Sequence, residues 1–366
     1  MVSFHMIVSP GETWKWRMGL SWRSLACASL LFVGMASSAM ADTETRFFRI
    51  GTAATGGSFF EIGAVVASAI SSPVEGAICA KSGDCGVLGL VAVAQATQGS
   101  VDNIRLVASG QIESGFVQTD LAAMAFAGTG AFADDPPAHR LRAIASLFPE
   151  AMHIVVRVDS PIRSVDELAG KTIAVGDPGS GTAANANVLL AAAGLGESDV
   201  VRKFVRPAQA AEELQAGEID AMILSGSFPV PAIQELAAAT PIRLVPITGS
   251  VAEKLQAQYA FYSAATIPAG VYRNVDTDTK TLGFFALWVV RDDADEALIH
   301  DITRAAWSDS AAQLYAGIDP IGRQIVLANA LKGLPLPLHP GAARFYREQG
   351  FSLEGLPNPP NAEPSR

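Results

Sequence analysis

The sequence is poor in the residues by which protein chemistry is usually recognised. Of its 366 residues, 17% are charged, 7% are aromatic, three are cysteine and five are histidine. His5, His139, His153, His300 and His339 have no ligand-like spacing to one another or to the cysteines, so no metal site is expected. The G-x-S-x-G and H-E-x-x-H motifs are missing, and so are G-x-x-x-x-G-K-[ST] and a full G-x-G-x-x-G. Those absences remove the signatures of α/β-hydrolases, zinc peptidases and nucleotide-binding proteins, and no cofactor is implied. Positive charge is scarce, with 26 Lys+Arg against 36 Asp+Glu. That balance argues against nucleic acid and against anionic membrane surfaces as partners. No segment has the roughly 20 consecutive apolar residues of a membrane span.

What is present begins with a leader. Lys15, Arg17 and Arg23 precede an apolar run from Leu25 to Met35, and small residues follow to Ala39-Met40-Ala41. This is read as a signal peptide over residues 1–41, cleaved near Ala41-Asp42, which makes the mature chain periplasmic. Translation starting at Met18 instead of Met1 fits the long n-region equally. Cleavage removes Glu12, Lys15, Arg17 and Arg23, leaving 23 basic and 35 acidic residues and a net charge of −12. Cys27 leaves with the leader. Cys79 and Cys85 remain in a turn-rich stretch and are expected to pair as a disulfide in an oxidising compartment. A redox-active pair is the alternative, but the spacing is not C-x-x-C.

The mature length suits two domains. Strand-like runs at 47–51, 112–117, 143–147, 153–158, 172–176, 219–224, 242–247 and 284–291 alternate with helix-like runs at 59–70, 119–127, 183–193 and 231–239. Ser164-Val165-Asp166-Glu167 reads as a capping box. The alternation predicts βα units on parallel sheets. Beyond 291 the chain is expected to be mostly helical, at 295–307, 310–316, 323–330 and 342–349. Residues 351–366 are expected to form a disordered tail.

Three Gly/Ser-rich turns join strand to helix: Gly51–Ser58, Gly176–Thr182 and Leu224–Pro229. A helix N-terminus offers free N–H donors and partial positive charge, which suit a carboxylate or phosphate. Ligands of open α/β sheets bind beyond the carboxyl ends of strands, where such turns lie. Thr55, Gly57 and Ser58 from the first turn are expected to face Ser180, Gly181 and Thr182 from the second. Phe59, Phe60 and Phe228 are candidate apolar walls. Gln118 and Asp120 are candidates to read a ligand amine or hydroxyl, and Asn185 to support its carboxylate. Glu150 and Asp120 could serve as general acid and base, but carboxylates at strand ends are common, and no enzyme activity is expected.

Several segments also resemble a known family. Gly51-Thr52-Ala53-Ala54-Thr55-Gly56-Gly57-Ser58-Phe59-Phe60 resembles the opening motif of the TAXI proteins, the solute-binding subunits of one class of TRAP (tripartite ATP-independent periplasmic) transporters. Segments 114–122, 141–150, 165–182, 217–221 and 339–346 resemble further motifs of that family in the same order. The departures are Thr119, where Ser is usual, and Ala183, where Arg is frequent. The resemblance implies a type II periplasmic-binding-protein fold, two doubly wound α/β lobes around a hinge. Lobe I would take residues 46–157 plus 283–350, and lobe II 158–282. It further implies capture of a small organic acid or amino acid, glutamate-like or a 2-oxo-dicarboxylate, and delivery to a TRAP membrane subunit. A periplasmic sensing module for a signalling partner is the alternative.

Overall fold

The structure, a computed structural model, describes residues 45–55, 57–72, 86–259, 261–318 and 320–359. The expected leader and the Cys79–Cys85 pair lie outside these residues.

Twelve strands occur among them: β1 (Arg46–Gly51), β2 (Ser71–Ser72), β3 (Val87–Leu88), β4 (Leu90–Gln95), β5 (Ser114–Gln118), β6 (Leu141–Arg157), β7 (Thr172–Ala174), β8 (Val201–Lys203), β9 (Ala221–Gly226), β10 (Ile242–Leu244), β11 (Ser263–Ile267) and β12 (Thr279–Arg291). The helices are α1 (Ser58–Ile70), α2 (Ser100–Ala108), α3 (Thr119–Ala127), α4 (Gly181–Ala192), α5 (Pro207–Ala216), α6 (Pro231–Ala239), α7 (Gly249–Gln258), α8 (Glu296–Ala306), α9 (Asp309–Ala316) and α10 (Pro340–Glu348).

Ten strands form one sheet in the order β4-β1-β5-β12-β6-β9-β7-β8, with β10 on β6 and β11 on β12. The outer groups are parallel, as the βα alternation predicts: β4, β1 and β5 on one side, β9, β7 and β8 on the other. The centre is not parallel. β12 returns antiparallel between β5 and β6, and β6 runs antiparallel to β9. The sheet is therefore mixed.

The two strands expected at 143–147 and 153–158 are one continuous strand, β6. Pro149, which lacks a ladder N–H, is accommodated because it faces Phe285 at a register shift in β12. The helix expected at 323–330 is replaced by two short 3-10 turns, Gly322–Gln324 and Leu327–Asn329. Ser164 makes no capping bond; Glu167 accepts from the Arg163 N–H instead, and only a 3-10 turn, Val165–Leu168, follows.

Strand alternation sends neighbouring side chains to opposite faces. Along β12, Trp288 joins Phe48, Phe116 and Tyr346, whereas Leu287 and Val289 join Val101, Leu121 and Leu336. Along β6, Ile154 packs with Ile223 and Leu255, and Val155 with Met222 and Ile233. Core membership changes between Phe148 and Ala151 on β6 and between Phe284 and Ala286 on β12. His339 caps α10, its Nδ1 accepting from Gly341 N–H while Nε2 meets the Ala294 carbonyl, with Pro340 at the first helical position. Phe351, Leu353 and Leu356 still pack against core clusters.

Candidate functional site

The carboxyl ends of β1, β5, β7 and β9 surround a cavity of about 80 Å³. Three helices open onto it with Gly or Ser at their starts: Gly57 and Ser58 of α1, Gly99 and Ser100 of α2, and Ser180 and Gly181 of α4; Pro207 of α5, which has no N–H, and Val230 ahead of α6, whose N–H is donated to Tyr272, also line it. Each helix start leaves backbone N–H groups without an intrahelical acceptor. At α4 the Ser180 hydroxyl accepts from Ala183 N–H at 3.0 Å, so it serves as the N-cap and keeps only its own O–H for other partners. At α1 the capping residue is Gly57, which has no side chain to satisfy those donors. The strand ends beneath are pinned by Asn103, whose Nδ2 donates to the carbonyls of Thr52 (2.6 Å) and Phe116 (2.7 Å).

The cavity floor is a hydrogen-bonded polar network. Gln118 at the end of β5 donates through Nε2 to Glu150 Oε2 at 2.8 Å. Its Oε1 accepts from Asn185 Nδ2 at 3.1 Å, and Asn185 also reaches Ser225 Oγ at 3.2 Å. The Tyr262 hydroxyl bridges Asn185 Oδ1 (2.8 Å) and Asp120 Oδ2 (3.1 Å). Thr182 Oγ1 accepts from Ser225 N–H at 3.1 Å. These bonds link residues far apart in sequence, and the amide orientations of Gln118 and Asn185 agree with every one of them.

No lysine or arginine lines this cavity among the described residues. Its acidic groups are Glu150 and Asp177, with Asp120 buried behind. Burial pushes the Glu150 carboxyl up to about 8, reinforced by Asp120 and opposed by the Gln118 hydrogen bond. Burial likewise pushes Asp120 up to about 6 against its hydrogen bonds. Asp177 is raised by burial, with Arg206 pulling the other way. Each carboxyl is disfavoured as an anion because the hydrogen bonds and charge nearby replace only part of its lost hydration.

Of the residues singled out in sequence, Gly57, Ser58, Phe59, Gln118, Ser180, Gly181 and Thr182 line the cavity. Asn185 and Asp120 lie behind the wall as supports for Gln118 and Tyr262. Thr55 is exposed on the turn before α1, and Phe60 is half-buried away from the cavity. Phe228 packs beside the core cluster around Tyr272, with its ring 6.4 Å from that of His153. Phe59 meets Phe116 and Phe148 edge to face, so it is at once wall and core. Missed in sequence were Gln98, Gly99 and Ser100 at the start of α2 and the bridging Tyr262. Gly99-Ser100 is a weak local signal, and Tyr262 reads as one more apolar-cluster aromatic.

A polar cavity at the strand ends of such a sheet, ringed by helix N-termini, is an arrangement suited to holding a small polar ligand. The chain belongs to the NMT1-like family, which it matches over residues 50–350. Among solved structures it is similar to the periplasmic aliphatic sulphonate binding protein SsuA from Escherichia coli, with 18% identity and a TM-score of 0.39 over 82% of this chain and 78% of that one. It is also similar to the alkanesulfonate-binding protein SsuA from Xanthomonas axonopodis pv. citri bound to MOPS, with 16% identity and a TM-score of 0.44 over 83% and 84%. An ancestral arginine-binding protein bound to arginine gives 16% identity and a TM-score of 0.42 over 74% and 97%.

Proposed function

We propose that this chain is the periplasmic solute-binding subunit of a TAXI-type TRAP transporter, which closes on a small carboxylate and presents it to the membrane subunit. The observation that carries this reading is the convergence of the α1, α2 and α4 N-termini on one cavity without a cationic side chain. Charge-assisted bonds to such N–H groups are worth roughly 1.5–3 kcal/mol each, enough for two or three to hold a carboxylate without arginine. The TAXI assignment is supported by where its motifs meet: segments around 51–60, 114–122 and 165–182 all contribute to this cavity.

The molecule divides into two lobes in this reading. One takes residues 46 to about 149 with about 285–350, and the other the residues between. The change of core membership on β6 and β12 supports that boundary, a few residues earlier on β6 than sequence alone suggests. The α4 segment and the α2 segment then meet across the cleft, where Asp102 N–H donates to the Gly179 carbonyl at 3.2 Å. A ligand touching both lobes stabilises the closed form by its differential contacts.

Binding is favoured over catalysis by the company the hydroxyls keep. Ser58, Ser100, Ser180 and Ser225 have no histidine partner among the described residues. Buried His153 is engaged by Tyr272 and the Ala151 carbonyl and is pushed down to about 4 by burial. The test is calorimetry with 2-oxoglutarate and L-glutamate beside their methyl esters or amides. Neutralising a carboxylate is expected to weaken binding at least about tenfold, or 1.4 kcal/mol. Equal binding of an ester or of a neutral sugar would refute the anion reading.

A further inference from the structure

Glu150 stands out within this site. It is only 2% exposed, lies in the middle of β6, and lines the cavity. Among the described residues its carboxyl has one hydrogen-bond partner, the Gln118 amide, which donates to Oε2, so the carboxyl's own hydrogen-bonding capacity is left unfilled there. The flanking strands bring no charge: Phe284 of β12 lies opposite it, and the adjacent Ala151 pairs with Gly226 of β9. The titratable groups related to it are Asp120 from α3, which acts on it directly, Tyr262 ahead of β11, which is bonded to Asp120, Asp177 before α4 on the same cavity, and His153, three residues on along β6 and on its other face. Arg206 acts on Asp177. The two buried carboxyls and the tyrosine resist becoming anions, and burial keeps the histidine from becoming a cation.

We propose that Glu150 reads the solute as a neutral carboxylic acid, donating its O–H to the bound carboxylate, so that capture of the anion requires a proton already seated on Glu150. This deepens the functional reading above and rests on the solute being an anion. Gln118 supports the assignment by occupying Oε2 as an acceptor and leaving the other oxygen to carry the proton toward the cavity. A carboxylate at Glu150 would face the incoming carboxylate across a cavity with no cation to separate them, whereas the acid form turns the same group into a donor. Burial and Asp120 hold the proton on Glu150 up to a pH of about 8. Below that pH the seated form dominates and affinity is flat. Above it, each pH unit removes a further tenfold of the binding-competent form, and affinity falls about tenfold per unit.

The experiment is calorimetry with 2-oxoglutarate, and with glutarate as a second probe, from pH 6 to 10 in two buffers of different ionisation enthalpy. Neither probe titrates in that range. The wild type is expected to bind about fivefold more weakly at pH 9 than at pH 8, about tenfold more weakly again at pH 10, and to take up close to one proton on binding at pH 9 and above. Glu150→Gln, which keeps an acceptor for Gln118 and a neutral donor toward the cavity, is expected to lose the alkaline fall. Proton uptake by the wild type is read whether or not the variant binds. Affinity that is flat to pH 10 without proton uptake overturns the proposal, as does the same fall in Glu150→Gln. Affinity that rises with pH overturns it too, because loss of the Glu150 proton would then favour capture of the anion. If neither dicarboxylate binds at any pH but an amine such as putrescine raises the melting temperature, the anion reading itself has failed and this proposal with it.

Discussion

Gly181 is the first residue of α4, and a methyl group on its Cα would sit 2.0 Å from Gln118 Oε1, 2.7 Å from Gln118 Cδ and 3.0 Å from Ser100 Oγ. The obstructing atoms belong to the far end of a flexible side chain, so Gly181→Ala is relieved by moving Gln118 aside. That movement breaks the bonds from Gln118 to Glu150 (2.8 Å) and from Asn185 to Gln118 (3.1 Å). At about 0.5–1.5 kcal/mol each, their loss amounts to about 1–3 kcal/mol, or roughly 5- to 150-fold in affinity. Gln118 and Gly181 belong to opposite lobes in our reading, so opening the cleft also relieves the clash. The cost then falls on closure and not on folding, and alanine's better helix propensity, worth up to about 1 kcal/mol, offsets part of any effect on the fold. The assay pairs 2-oxoglutarate calorimetry with thermal unfolding of the ligand-free protein. We expect the affinity loss with a melting temperature at or above that of the wild type. Affinity within twofold of wild type would refute the reasoning, and so would a melting temperature lowered by several degrees.

Three further outcomes are expected. Intact-mass analysis of the exported protein should show a chain starting close to Asp42 that is two hydrogens lighter than the reduced sequence; two free thiols would remove the Cys79–Cys85 bond. Tyr262→Phe deletes the hydroxyl that serves buried Asn185 Oδ1 and Asp120 Oδ2, and should lower unfolding free energy by about 1–3 kcal/mol in denaturant titration. Stability should also respond to Glu150: its carboxyl is raised from 4.5 to about 8 on folding, so the folded state holds the extra proton between those values. Stability from this group is therefore present below pH 4.5 and is lost as pH rises to about 8, and Glu150→Gln should flatten that part of the urea-midpoint profile.

The parts of the site legible in sequence were those written locally. Gly176–Thr182 announces a strand-to-helix turn by composition alone, and Ser180 and Gly181 are found at the start of α4. The outer strand groups follow from βα alternation for the same reason. Glu150 was visible as a strand-end carboxylate, but its character comes from burial beside Asp120 and from Gln118 and Asn185, which no local pattern joins. Helix α2 is short and carries Asn103 and Arg105 among its apolar positions, so its periodicity was too weak to read. Its Gly99-Ser100 start therefore escaped notice. The strands read at 143–147 and 153–158 are joined through Pro149, whose tolerance within one strand depends on an irregularity in β12, more than 130 residues later.

The place of β12 in the sheet bears on how the chain is made. β5 and β6 do not pair with each other; each pairs with β12. Residues 46–148 therefore contain most of a core but not its central strand, whose Trp288 and Leu287 fill both faces. Until residues 279–291 arrive, two strands present open edges where the interior will be. Such edges template misassembly. Closing a loop of this span is also slow compared with forming local contacts. A nascent chain must carry those unpaired edges while more than 100 further residues are made, which favours keeping the polypeptide unfolded until β12 is available.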